Sequence, residues 1–250
     1  LNTYKTSQIA KLIGVHPNTI RFYEAMELLP AIPRTESGYR IFNDAHLRQL
    51  RLLRRAFHAE IIGDRLRQEA YDIVKTAAAN DIDAAYRGTK KYLEHLREER
   101  ARAEEAILIA SSIVEKSEKS DKGVLFSGRL MAADILGVTI DVLRDWERNG
   151  LIRVPRSANG RRKFGLMEMN RLKIIRTLRN AHYSMMSILR MLNRLDRGDT
   201  NVRKAIDTPD EDEDIVCAAD RYITALSMAE NDALEMLAIL DAMRESQGRE

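Results

Sequence analysis

With 250 residues, 28.6 kDa and a formal net charge of +3, the chain has room for one large domain or two small ones, each burying its own core. Hydrophobic residues at 44% and charged residues at 32% exclude a disordered tail; no apolar run reaches the roughly 18 to 20 residues of a membrane span, and Leu1-Asn2-Thr3-Tyr4-Lys5 lacks a signal-peptide core, so a cytoplasmic location is expected. A single cysteine, Cys217, and five scattered histidines with no i, i+4 pair exclude a disulfide scaffold and a clustered metal site, and no cofactor is expected.

In chain order, Thr6 or Ser7 is the expected cap of a short helix whose apolar positions Ile9, Ala10, Leu12 and Ile13 end at Gly14, a residue free to take positive φ. Pro17 suits the first turn of a second helix capped by His16 or its neighbour, and Ile20 with Tyr23 or Glu24 follows at helical spacing. Between Leu28 and Phe42, Pro30, Pro33 and Gly38 punctuate short apolar runs, which predicts a small β-hairpin with an exposed tip. Leu47, Leu50 and Leu53 open a third amphipathic helix. Tyr86, Thr89, Leu93, Leu96, Arg100, Ala103, Ile107, Ala110 and Val114 then recur by three and four along a helix of about thirty residues, roughly 45 Å long. A polar joint follows at residues 116–122.

Beyond the joint the pattern returns. At a shift of 123 residues Gly14 falls on Gly137, Ile20-Arg21 on Leu143-Arg144, Tyr23-Glu24 on Trp146-Glu147 and Leu28-Leu29 on Leu151-Ile152. At a shift of 122, Pro33-Arg34 meets Pro155-Arg156, Gly38 meets Gly160, Arg40 meets Arg162 and Phe42 meets Phe164. The chain is therefore read as two copies of one unit of about 120 residues. Asn159-Gly160 marks the second hairpin tip. Cys217 precedes the last helix and reads as a buried, inert thiol. In that helix Tyr222, Leu226, Ala229, Ala233, Met236, Leu240 and Met243 repeat the apolar row of the first long helix.

The small net charge also divides. Residues 1–60 carry nine Lys/Arg against five Asp/Glu, residues 122–182 carry thirteen against five, and the remainder is net −9. Two basic blocks in an acidic frame are the pattern of two surfaces that meet a polyanion.

The strings Ile9-Ala10…Gly14-Val15…Thr19-Ile20-Arg21-Phe22-Tyr23-Glu24…Leu28-Leu29 and Gly38-Tyr39-Arg40-Ile41-Phe42 resemble the winged helix-turn-helix domain of the MerR family of bacterial transcription regulators. The second copy, with Gly137-Val138, Leu143-Arg144-Asp145-Trp146-Glu147, Gly150-Leu151-Ile152 and Gly160-Arg161-Arg162-Lys163-Phe164, is a more divergent likeness. Family members usually carry one such domain per chain and pair two chains through a long antiparallel coiled coil; this chain carries both domains. The fold implied is mainly α, with two winged helix-turn-helix domains at residues 1–80 and 124–200, long helices within 81–118 and 201–250, and a linker at 119–123. The two long helices are expected to pair within one chain as an antiparallel coiled coil, a pseudo-dimer favoured over a homodimer. In the alternative, each helix folds back on its own domain and two chains associate.

In a helix-turn-helix the second helix puts its N-terminal side chains at base edges in the major groove. His16, Asn18 and Thr19 are the candidates in the first copy, Asn18 being suited to an adenine edge. Thr139, Ile140 and Asp141 stand there in the second; Asp141 can accept from a cytosine amine but repels phosphate, so different half-sites are expected. The resemblance suggests backbone contacts for Arg21 and Arg144, with Tyr23 and Trp146 either packed inward or donating to phosphate. Arg34, Tyr39 and Arg40, and Arg156, Arg161, Arg162 and Lys163, are expected to track phosphates from the wings. Arg48, Arg51, Arg54 and Arg55 read as a solvated helix face.

The function expected is that of a sequence-specific DNA-binding transcription regulator, with double-stranded DNA and RNA polymerase as partners. The resemblance implies that it bends or untwists an imperfectly symmetric promoter site. An architectural or mobile-element DNA-binding protein and a drug-sensing scaffold are the alternatives. A small-molecule effector would lie between domains or helices, for example near Tyr71, Tyr86, Tyr92 and Tyr222. No nucleophile–base pair, phosphate loop or metal cluster is evident, so an enzyme is not expected.

Overall fold

The computed structural model describes residues 2–58, 64–118, 126–160, 162–207 and 221–247. Cys217, Arg161 and the expected linker at 119–123 lie outside the described residues. The chain divides into two compact units, one formed by Leu1–Glu98 with Ala225–Glu250 and the other by Glu99–Thr224.

In the first unit, β1 (Thr3–Tyr4) leads directly into α1 (Thr6–Ile13). The expected caps Thr6 and Ser7 are already helical; Lys5 is the cap, with extended backbone, and its N–H donates to Gln8 Oε1 at 2.7 Å. The far end closes as the sequence predicts. Gly14 takes φ 72°, and Val15 N–H reaches back to the Ala10 carbonyl at 3.0 Å, which satisfies a carbonyl that the helix end leaves open. α2 (Pro17–Ala25) follows with Pro17 in its first turn and His16 as cap, His16 Nδ1 accepting from Asn18 N–H at 3.2 Å.

The predicted hairpin is reduced to one bridge, between Arg34 and Arg40. Thr35 N–H donates to Tyr39 O and Ile41 N–H to Pro33 O, both at 2.8 Å; Pro30 and Pro33 have no N–H with which to extend the ladder. The strand that continues from the wing, β2 (Phe42–Asn43), pairs instead with β1 in the register Thr3↔Asn43 and Tyr4↔Phe42. That N-terminal partner was not anticipated, because two residues leave no alternating pattern to detect. Tyr4 OH donates to Asp44 Oδ1 at 2.7 Å across the same junction.

α3 (Asp44–Ala56) and α4 (Asp64–Ala78) complete the domain. Ile9, Ala10, Ile20, Leu29, Phe42 and Leu50 form the core beneath α2 and the wing. Buried Gln49 ties the pieces together, its amide donating to Leu28 O at 3.0 Å and Val74 O at 2.8 Å. α5 (Ile82–Glu118) and α11 (Tyr222–Gln247) both contribute to this unit. Arg97 meets Glu230 at 3.8 Å and Arg244 meets Asp83 at 2.7 Å. The end of α3 is held to α11 where Arg55 and His58 contact Asp232. The apolar rows read from the sequence are buried where they matter, at Leu93 and Leu96 on α5 and at Leu226, Ala229, Ala233, Met236 and Leu240 on α11.

The second unit repeats the plan. β3 (Phe126–Ser127) pairs with β4 (Lys163–Phe164), α6 (Arg129–Leu136) ends at Gly137 with φ 60°, and α7 (Ile140–Arg148) starts at Thr139, whose hydroxyl accepts from Val142 N–H. α8 (Leu166–Asn180) carries Arg171, whose Nε donates to Leu151 O at 2.7 Å, the same service that Gln49 performs at Leu28. α9 (Met185–Asp196) and α10 (Val202–Asp207) follow.

Among the described residues no helix is long and apolar enough to cross a membrane, and no group of three or more His, Cys, Asp or Glu side chains is placed to hold a metal. The suggested effector tyrosines are otherwise engaged. Tyr92 and Tyr222 are buried, with burial pushing the Tyr222 hydroxyl up to about 12. Lys90 and Arg244 sit over the Tyr86 ring, and Tyr71 reaches Met26 O.

His46 gives the first unit a pH dependence. It is buried, Nδ1 lies 3.1 Å from Asn43 N and 2.6 Å from Asn43 Oδ1, and Nε2 lies 3.3 Å from Ala31 O. Burial pushes the imidazole below its usual value, against the smaller opposing effect of the Ala31 carbonyl. A lowered folded value means full stability above the unfolded value of about 6.5 and a progressive loss as pH falls through the folded one. The urea midpoint is therefore expected to drop between pH 7 and pH 5, and His46→Gln is expected to flatten that part of the profile.

Candidate nucleic-acid interface

α2 buries Ile20 and half-buries Tyr23, which packs against the core, and so turns Asn18, Arg21 and Phe22 outward. Arg21 Nη1 donates to Asn18 Oδ1 at 3.0 Å. This leaves the Asn18 amide N–H groups and one carbonyl lone pair for a base edge. His16 is exposed but spends Nδ1 on its capping bond, and Thr19 is half-buried. Phe22, 57% exposed, joins this face although it is not among the residues that the sequence singles out. An aromatic at that exposure is the kind of apolar partner that a thymine methyl packs against.

A cleft of about 740 Å³ opens beside α2. The first turn of α1 supplies Thr6, Ser7 and Gln8, α2 supplies Arg21, and the wing supplies Tyr39 and Arg40. Hydroxyls, an amide, a phenol and guanidiniums around one groove are groups that bond phosphate oxygens.

The wing arginines are engaged within the chain. Glu24, in the last turn of α2, takes Arg40 Nε at 2.6 Å and Arg34 Nη2 at 3.3 Å, and Arg34 also caps the turn by donating to Gly38 O. Arg40 thus ties the second helix to the wing, and Arg34 divides its guanidinium between Glu24 and the turn. Tyr39 stands exposed at the tip.

The second copy rebuilds the strut. Glu147 accepts from Arg162 at 2.7 Å and is also paired with Arg129. Burial acts to raise the Glu147 carboxyl, but the hydrogen bonds from Arg162 and Arg129 outweigh it and hold the group below the usual carboxylate value. Arg162 therefore leaves the set of unengaged cations, while Arg156, which donates to Gly160 O, and Lys163 remain exposed. Trp146 is buried; of its two readings, inward packing is the one adopted. Thr139 is spent as a cap, and Arg144 donates to Asp141 at 2.6 Å on the outer face of α7. In the sequence the two glutamates are only repeated letters; their role needs contacts across 15 or 16 residues.

The description "MerR family regulatory protein" matches residues 5–42, and "MerR HTH family regulatory protein" matches residues 131–195. An uncharacterized HTH-type transcriptional regulator of Haemophilus influenzae is 32% identical over 107 residues, covering 38% of this chain and 78% of that protein. The chain belongs to the MerR family. The HTH-type transcriptional regulator CueR of Salmonella typhimurium is a further relative, 30% identical over 113 residues, which is 42% of this chain and 78% of that protein. The HTH-type transcriptional regulator ZntR of Escherichia coli K12 is 36% identical over 53 residues, 21% of this chain; the match spans 38% of the length of ZntR. No solved structure matches. The first MerR match runs from α1 through the wing and the second from α6 into α9, so the chain holds two MerR-type regions in tandem.

Glu24 is one-quarter exposed, so the charge-assisted bonds of its strut are worth about 1 kcal/mol after screening. Glu24→Gln is expected to lower unfolding stability by about that amount and to speed trypsin cleavage after Arg34 or Arg40. Glu36→Gln, at an exposed position in the same wing, should change neither.

Proposed function

We propose that this MerR-family chain is a DNA-binding transcription regulator that meets one imperfectly symmetric promoter site as a single molecule. Its winged domains lie within residues 1–80 and 124–200, and the helices of 81–118 and 201–250 pair as an antiparallel coiled coil that makes the chain a pseudo-dimer. The observation that carries the reading is the presence of two MerR matches in one chain, each with an outward-facing second helix and a wing strutted to it by a glutamate. The paired helices are supported by the first unit, which combines the first domain with the last helix. There the contacts Arg97 with Glu230 and Arg244 with Asp83 set rising numbers on one helix against falling numbers on the other.

Each domain lays its second helix in a major groove and its wing on the flanking backbone, with Asn18, Arg21, Tyr39, Arg144, Arg156, Arg161 and Lys163 as contacts. Two heads on a stiff bridge bend or untwist the spacer between them; such deformation costs several kcal/mol, repaid by the contacts it permits. RNA polymerase is the partner that gains from the altered spacer.

Footprinting on DNA selected from a genomic library tests this. Arg21→Ala is expected to weaken binding at least tenfold and to reduce the salt slope by about one unit. Absence of a protected site, or weak binding that salt does not affect, overturns the proposal. A run-off transcription assay on the bound site should change initiation; unchanged initiation makes the chain an architectural DNA-binding protein.

A further inference from the structure

We propose that the two copies divide the work on DNA. The first unit reads bases, and the second holds the backbone through its wing with little base discrimination. This rests on the DNA-binding reading above.

The outer faces of the two reading helices carry opposite chemistry. Where α2 presents Asn18 and Phe22, α7 presents Asp141 and Asp145. An asparagine bonds an adenine edge in two places and a phenyl ring packs on a thymine methyl; a carboxylate does neither and is repelled by every phosphate nearby. A base group that Asp141 suits is an exocyclic amine, cytosine's above all, and one of its two oxygens is already held by Arg144 at 2.6 Å. That pair also neutralises the one arginine that the two helices share in this position, whereas Arg21 keeps its full charge beside a neutral amide. The Thr139 hydroxyl is committed to Val142 N–H.

The groove beside the helix changes in the same direction. Ser7 and Gln8, which line the first unit's cleft, correspond to Leu130 and Met131, 70% and 48% exposed. Neither side chain bonds a phosphate oxygen. Thr6 corresponds to Arg129, which Glu147 engages.

The wings compensate. Residues 153–163 hold five basic residues and no acidic one, while residues 30–41 hold two basic and one acidic. Even with Arg162 committed to its strut, the second wing is the more cationic, and Arg156 and Lys163 are exposed on it. Cations that meet phosphates supply affinity without sequence information.

Selection of the full chain on random duplex DNA, followed by affinity and salt-slope measurements, tests the division. Sequence information is expected in one half-site only. Asn18→Ala should cut the ratio of specific to random affinity at least tenfold. Asp141→Ala, at an exposed position where folding is checked by circular dichroism, should leave the preferred sequence unaltered and raise affinity for all DNA severalfold. The double variant Arg156→Ala/Lys163→Ala should weaken every sequence alike and reduce the salt slope by about two. Two half-sites of equal information, or a changed base preference in Asp141→Ala, overturns the division while leaving DNA binding intact. Failure of the unmodified chain to bind any duplex in a salt-sensitive way removes the DNA-binding reading and this proposal with it.

Discussion

In each copy one partly buried glutamate, in the last turn of the second helix of the helix-turn-helix, collects two guanidiniums, and the placement of the wing depends on that cluster. Two prolines deprive the first wing's incoming strand of backbone donors, so a single bridge and a few turn bonds are all that the main chain supplies. The carboxylate fixes the rest. Glu24 draws in Arg34 and Arg40, and Glu147 draws in Arg162 and Arg129. A wing held this way keeps a set distance from the second helix. The cost is cationic charge, since arginines that look available for phosphate are partly consumed in holding their own support.

The same economy separates the copies. The architecture of turn, cap and strut is kept in both, with Gly14 and Gly137 in the left-handed region and Gln49 and Arg171 clamping equivalent carbonyls. The differences that set the two second helices apart lie in outward-facing side chains, where packing places little demand. Divergence of surface chemistry on a retained scaffold is what duplication within one chain permits, because the two copies need not be identical as the subunits of a homodimer must.

Much of this was legible in the sequence. The repeat was visible because glycines that need positive φ, core aromatics and arginines recur in order, and the long apolar rows predicted the buried faces of α5 and α11. The helix starts and strand pairings were less legible. Lys5 caps α1 through a side chain three residues on, and β2 takes its register from two residues about forty positions earlier. Such pairings leave no periodic signal. Trp146 lies three residues after Leu143, a spacing equally consistent with packing and with contact; only the folded core decides. The ion pairs of the wing arginines are not legible, because a contact across sixteen residues leaves no mark in a linear string. Phe22 carries a legible signal, an aromatic on the polar side of an amphipathic helix.

The central claim is that both copies serve one site within one molecule. The protein mass bound to a duplex carrying a single selected site, measured by native mass spectrometry or light scattering, tests it most directly. One chain of 28.6 kDa per duplex is the result predicted; two chains per duplex at saturation would contradict it.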